Sequence, residues 1–336
     1  MKDTGFGVLL LIFAALMNAS FTLPMKFTRR WVWENTWLAW TLLALLVLPL
    51  VITWRTVPHL SEVYRSVPAG NLLTVIALGG GWGVAQVLFG LAVDAIGIAL
   101  TFSVVLGTSA AVGTLVPLLR LHPDRINTAP GHELIAGVAL VLAGVLVCAI
   151  AGTQRERSII VPSATRGTAG GSLLAVLCGL GASFVNLGLA FGAPLIQSAR
   201  SFGASPLPAA NAVWMPLMLA GCVPNIMYCL WLLRKNRTFI RFAAGGVSHW
   251  LLASIMAVFW FASTVLYGFS TVKLGTWGPI LGWPLFMSLI VITASVLGIL
   301  TGEWKNSGKS LRIQWAGVAL LVLAVFVLSN SSRHLS

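Results

Sequence analysis

The chemistry on offer in this 336-residue chain lies in polar and aromatic side chains set inside long apolar runs. Trp82 and Gln86 are four residues apart, so a helix puts them on one face, with Gly90 one turn further on. An aromatic plate beside an amide suits a ring with an apolar C–H face and a rim of hydroxyls. The indole covers the face and the amide bonds the rim. Asn18, Ser20, Ser183, Asn186, Ser263, Thr264 and Tyr267 are the other polar groups deep in apolar runs, and Trp260 and Trp283 add further plates. Asn18, Trp82, Gln86, Asn186, Trp260, Tyr267 and Trp283 are therefore the candidate binding residues, with Gln86 and Asn186 as the hydrogen-bonding pair. The competing reading is architectural: amides and hydroxyls also bridge membrane helices, at about 0.6 kcal/mol each, and Trp also anchors helices at the lipid–water boundary.

Acid–base chemistry has few carriers. Each of the eight acids, from Asp3 to Glu303, falls at the end of an apolar run or between two runs. Glu34 is the best placed to exchange a proton, because it stands near Lys26, just after the break at Pro24. A salt bridge between Lys26 and Glu34, holding the first two runs together, is the alternative. His249 can titrate near neutral pH, although a lone histidine at a span end is more often structural. Enzyme motifs fail on inspection. His132-Glu133 is followed by Ala136 where a zinc protease places its second histidine, and Gly79-Gly80-Gly81-Trp82-Gly83 lacks the Lys-Ser/Thr ending of a phosphate loop. No metal or cofactor is expected.

The elements that must position these residues are membrane helices. The chain is 58% hydrophobic and 9% charged, against roughly 25% charged in soluble domains. So few ionisable groups cannot cover a soluble surface. The apolar residues come in blocks of about 20, the length that crosses a bilayer. Ten such spans are expected, at 5–24, 37–54, 70–92, 97–119, 134–152, 169–196, 210–233, 249–272, 277–301 and 312–330. The first is read as a retained span, since no small-residue cleavage site follows it. Cys148, Cys178, Cys222 and Cys229 all fall inside apolar runs and read as small core residues. The net charge of +13 is scattered in short basic clusters between spans. That pattern fits anionic lipid on the cytoplasmic side and excludes nucleic acid as a partner. Loops after odd-numbered spans hold 13 of the 21 Lys and Arg, which places both termini in the periplasm.

Three sequence matches recur in order at offsets of 163, 178 and 180 residues. Asn18-Ala19-Ser20-Phe21 pairs with Gly181-Ala182-Ser183-Phe184, Phe89-Gly90 and Gly97 with Tyr267-Gly268 and Gly275, and Gly137-Val138-Ala139-Leu140 with Gly317-Val318-Ala319-Leu320. They divide the chain into five-span halves, 1–157 and 158–336. Five is odd, so the second half starts from the other side of the membrane. Two inverted five-helix repeats are the architecture of many secondary transporters, with a site at their interface. The expected cavity is built from spans one, three, four, six, eight and nine. Spans five and ten are left for lipid or for a homodimer contact.

Leu23-Pro24-Met25-Lys26 running into Trp31-Val32-Trp33-Glu34-Asn35-Thr36-Trp37 resembles the start of the bacterial L-rhamnose–proton symporters. Trp82-Gly83 with Phe89-Gly90-Leu91, the fourth span ending Gly113-Thr114-Leu115-Val116-Pro117, and Gly302-Glu303-Trp304-Lys305-Asn306-Ser307-Gly308 are similar to the same family. The resemblance extends from about residue 5 to 330. It implies membership of the drug/metabolite transporter superfamily, ten helices in the bacterial inner membrane, and proton-coupled uptake of L-rhamnose or a related sugar. An exporter of another metabolite and a non-transporting receptor or scaffold subunit are the alternatives the residues leave open.

Overall fold

The computed structural model describes residues 2–159, 169–305 and 307–335; Asn306 of the closing-loop signature and Ser336 lie outside them. The described residues form helices and turns, with no strand among them. Hydrocarbon offers no partner to a backbone N–H or C=O, so each crossing segment must close its own hydrogen bonds as a helix. Ten helices are long and apolar enough to cross: α1 Gly5–Phe27, α2 Trp33–Thr56, α3 Ala69–Ile96, α4 Ile98–Leu121, α5 Ala129–Glu156, α6 Ala169–Ser201, α7 Pro208–Asn236, α8 Arg241–Lys273, α9 Gly278–Leu300 and α10 Gly308–Asn330. Each coincides with one expected span: α4 starts one residue late, α9 falls one residue short at each end, and the other helices run past the expected ends by up to about two turns.

The crossings alternate, so one face of the bundle carries the start of α1 and the end of α10 and is called the terminal face here. Prolines and glycines mark the irregular points. A π-helical turn, Leu42–Val47, sits just before Pro49 in α2. A missing proline N–H is absorbed this way without breaking the span. Helix α6 is interrupted at Ser183 and again at Gly192, two residues before Pro194. Gly246 interrupts α8 with φ of 62°, in the left-handed region.

Helix α1 packs on α8 and α9, α3 on α6 and α7, α4 on α5, α6 and α9, and α2 on α7 and α8. Helices α5 and α10 pack mainly on each other, through Gly137 against Leu328, Gly144 against Leu321 and Gly317 against Cys148. Their principal partner is thus within the same chain, and Leu142, Leu146, Val322 and Phe326 are exposed on the outer surface of the pair. The α3–α4 turn is closed by Glu156 of α5, whose Oε1 accepts the Ala99 N–H at 3.0 Å.

Candidate functional site

A cavity of about 640 Å³ opens on the terminal face between α3, α4, α6, α8 and α9. The broken helix α6 shapes it: Leu189, Ala190, Phe191, Ala193, Pro194, Ile196 and Gln197, on either side of Gly192, form one wall. Asn71 and Thr74 come from the start of α3, His122 from the end of α4, and Thr271 and Gly275 from the end of α8. Gly275 turns the chain from α8 to α9 with φ of 73°, a conformation that side-chain-bearing residues seldom adopt. The ring of His122 stacks on Trp277 at 4.8 Å and 25°. None of the seven candidate binding residues lines this cavity. Its polar groups Asn71, Thr74, His122 and Gln197 escaped the sequence reading because they stand at span ends, where polar residues look like ordinary loop boundaries. The Gly192–Pro194 break inside an apolar run is the sequence signal that points to the wall.

Beneath the cavity, Asn186, Tyr267 and Trp283 form one node. The Asn186 amide donates to the Gly113 carbonyl and to the Pro279 carbonyl, both at 2.8 Å, and its Oδ1 accepts the Tyr267 hydroxyl at 2.5 Å. Tyr267 packs its ring edge-on to Trp283 and stacked on Phe286. The Trp283 indole donates to the Ser109 carbonyl at 2.9 Å and lies on Gly113, where a Cβ would come within 2.4 Å of the ring. Four helices, α4, α6, α8 and α9, therefore meet at one buried amide. The sequence reading expects this amide to bond substrate; here both of its N–H donors are used by neighbouring carbonyls, as buried polar groups generally are.

The remaining candidates gather further from the terminal face. Trp82 and Trp260 stack at 5.5 Å and 19°, and Trp40 meets Trp260 edge-on at 5.3 Å. Asn18 donates to the Ser263 hydroxyl at 3.2 Å. Gln86 shares the Trp82 side of α3, is half-buried, and its side chain makes no hydrogen bond among the described residues. Two members of this cluster were missed by the sequence reading. Trp40 is fully buried with its indole N–H unpartnered. Asn225 accepts the Trp37 indole N–H at 3.2 Å and donates to the Gly83 carbonyl at 3.3 Å. Trp40 is one of several tryptophans in the opening signature, and pattern alone does not separate it from Trp33 and Trp37.

Glu34 and Lys26 sit on the opposite face, and they do not pair. Lys26 Nζ bonds Glu303 Oε1 at 3.0 Å, and Arg155 reaches Glu303 Oε2 at 3.5 Å while its guanidinium lies 4.9 Å over the Trp304 ring. Glu34 is only 5% exposed, and its Oε1 accepts from Asn236 at 3.0 Å and from the Thr238 hydroxyl at 2.8 Å. Packing brings the closing loop to Lys26 and the residues around the end of α7 to Glu34, so the two groups expected to exchange a proton or form a bridge each have another partner here. His249 accepts the Arg30 backbone N–H at 3.3 Å and packs against Trp31, which is wedged on Gly245.

The arrangement is a cavity on the terminal face, the Lys26–Glu303 ion pair and buried Glu34 on the opposite face, and a polar and aromatic core between them. The family model described as L-rhamnose-proton symport protein (RhaT) matches residues 2–332. The L-rhamnose-proton symporter of Cronobacter sakazakii is 28% identical over 311 residues, which cover 90% of each chain. The symporter of the same name from Yersinia pestis is 25% identical over 327 residues and 95% of each chain, and that from Citrobacter koseri 26% identical over 311 residues. This chain belongs to the L-rhamnose-proton symport protein family.

Proposed function

We propose that the protein is a multi-pass transporter of the bacterial inner membrane that takes up L-rhamnose, or a sugar close to it, together with a proton by alternating access. The observation that carries this reading is a cavity lined by the terminal-face ends of α3, α4, α6, α8 and α9, above the buried Asn186–Tyr267–Trp283 node, in a chain of which residues 2–332 match a symporter family. A receptor or scaffold has no use for a cavity that stops at a packed gate. A carrier needs one that can be reached from each side in turn.

Two inverted repeats, 1–157 and 158–336, are part of the proposal, as is membership of the drug/metabolite transporter superfamily. The helix contacts support them. Moving every helix number by five exchanges α1 on α8 with α6 on α3, α3 on α7 with α8 on α2, α4 on α6 with α9 on α1, and α4 on α5 with α9 on α10. A pseudo-two-fold axis in the membrane plane produces such an exchange. The same offsets relate cavity residues to the packed face: Gln197 corresponds to Glu34 at 163, and Asn71 to His249 at 178. The closed face then holds, at matching positions, an acid and an imidazole where the open face holds amides.

We assign the sugar's central site to Asn18, Trp82, Gln86 and Trp260, where Gln86 has spare hydrogen-bonding capacity beside a stacked indole pair. Asn186, Tyr267 and Trp283 border it as the gate toward the cavity. Glu34 carries the coupled proton, since among the described acids it is the one that is buried. Lys26 acts through Glu303, as part of the contact that keeps the far face shut. A homodimer through the outer surfaces of α5 and α10 belongs to the same proposal. Labelled L-rhamnose offered to proteoliposomes should accumulate only when an inward proton gradient is imposed. Accumulation no greater than in protein-free vesicles overturns the substrate, and release of sugar against the gradient would favour an exporter.

A further inference from the structure

We infer that the cavity on the terminal face is itself a sugar-binding station, separate from the central aromatic site, in which Asn71 and Gln197 hydrogen-bond the hydroxyls of a neutral monosaccharide. The inference rests on the sugar-transport reading above and adds to it a second site, with its own residues.

Size is the first argument. A cavity of about 640 Å³ falls within the roughly 300–1,000 Å³ of small-ligand pockets. Chemistry is the second. No Asp, Glu, Lys or Arg lines it, so nothing there selects an anion or a cation, while Asn71, Thr74, His122 and Gln197 converge on it from three elements. The side chains of Asn71, His122 and Gln197 make no hydrogen bond among the described residues, and the Thr74 hydroxyl donates only back to the Gly70 carbonyl. Their capacity to bond hydroxyls is thus unspent. The Phe191 ring and the Ile196 and Val272 side chains supply an apolar wall for the C–H face of a sugar ring.

Separation is the third argument. Thr74 precedes Trp82 by eight residues and Gln86 by twelve on the same helix, about 12 Å and 18 Å along its axis. The floor between the two sites includes Pro279, whose carbonyl is held by Asn186. A sugar in the cavity therefore rests above the Asn186–Tyr267 node, and a sugar at Trp82 lies below it. Entry becomes a two-step process: capture among neutral amides, then passage when the node opens.

The test is protection of the cavity from a bulky reagent. The Thr74→Cys variant places a thiol in the lining, while native Cys178, Cys222 and Cys229 are buried. Reconstituted in vesicles, it is labelled with a membrane-impermeant maleimide with and without L-rhamnose, against the unsubstituted chain as background. L-rhamnose should slow labelling, and adding Asn71→Leu and Gln197→Leu should abolish that protection. In uptake assays each of these two substitutions should raise the half-saturating concentration about fivefold, as expected for one neutral hydrogen bond. Each is also made singly, and protection of the Thr74→Cys chain is first measured without either substitution. Unaltered labelling in a preparation that transports L-rhamnose overturns the station and leaves the proposed function standing. Protection that survives both Leu substitutions overturns the assignment to Asn71 and Gln197. If the unsubstituted protein does not transport L-rhamnose, the substrate reading falls first. The station then falls with it unless another neutral sugar protects the thiol.

Discussion

Asn186 fills both of its donor sites and one acceptor site with groups from three other helices, so its replacement should be felt in stability before affinity. Tyr267→Phe removes one partner and leaves a buried amide oxygen unsatisfied. A loss of about 1–2 kcal/mol is expected, between the average interhelical bond in membranes and a fully orphaned buried acceptor. Asn186→Leu removes three bonds and should cost more. Thermal unfolding of the purified variants measures both. Unchanged stability, combined with weakened uptake, would instead return Asn186 to the role of a sugar ligand. Glu34 is the opposite case, because Gln retains an acceptor for Asn236 and Thr238 and differs chiefly in being unable to carry a proton. Glu34→Gln should therefore still exchange labelled for unlabelled L-rhamnose down its gradient while losing proton-driven accumulation. A Glu34→Gln protein that concentrates sugar like the unsubstituted chain removes Glu34 from the coupling step.

Among the elements, α3 packs on α7 with little freedom. Gly79 and Gly83 lie directly on α7, where a Cβ would fall 2.1 Å from the Leu217 carbonyl oxygen and 2.4 Å from that of Gly221. Backbone cannot rotate away as a side chain can, so the helices would have to part. Gly80, between them, has nothing within 4 Å. Gly79→Ala should destabilise the protein by about 1–3 kcal/mol, the usual cost of overpacking, whereas Gly80→Ala should leave its melting temperature unchanged or raise it slightly. The comparison isolates contact from helix propensity, since both substitutions favour helix equally. Equal effects at Gly79 and Gly80 would deny the close α3–α7 crossing. That crossing matters for transport because it carries Trp82 and Gln86 on α3, and Asn225 of α7 reaches across it to Gly83.

For the whole molecule, the open question of direction is one of charge. Thirteen of the 21 Lys and Arg fall in or beside the sequence segments that follow odd-numbered spans, and the positive-inside rule would send that side to the cytoplasm. The cavity, on the terminal face, would then open to the periplasm, the side from which a nutrient arrives. A fluorescent protein that matures only in the cytoplasm, fused after Ser336, should stay dark. Bright fusions in intact cells would reverse the orientation and make the cavity face inward, without altering the helix count.

The sequence alone determined the ten helices, because hydrocarbon leaves a chain of this composition no other way to satisfy its backbone, and apolar run length reports that directly. The family was legible there too, through the resemblance carried by the Trp-rich opening segment and the Gly302-Glu303-Trp304 segment, local patterns that need no fold to be read. It also narrowed the chemistry to a short set of buried polar and aromatic residues, since each is costly in lipid and must have a use. Tertiary structure decided which use. Whether an amide such as Asn186 spends its donors on neighbouring carbonyls or keeps them free, as Gln86 does, depends on what α4, α8 and α9 bring within 3 Å of it. Whether Lys26 meets Glu34 or Glu303 depends on which loop folds beneath α1. The cavity lay furthest from view, because Asn71, Thr74, His122 and Gln197 are scattered over 127 positions of sequence and only packing makes them one surface. A one-dimensional pattern records the cost of placing each group in a membrane, whereas the partner that offsets that cost is chosen in three dimensions.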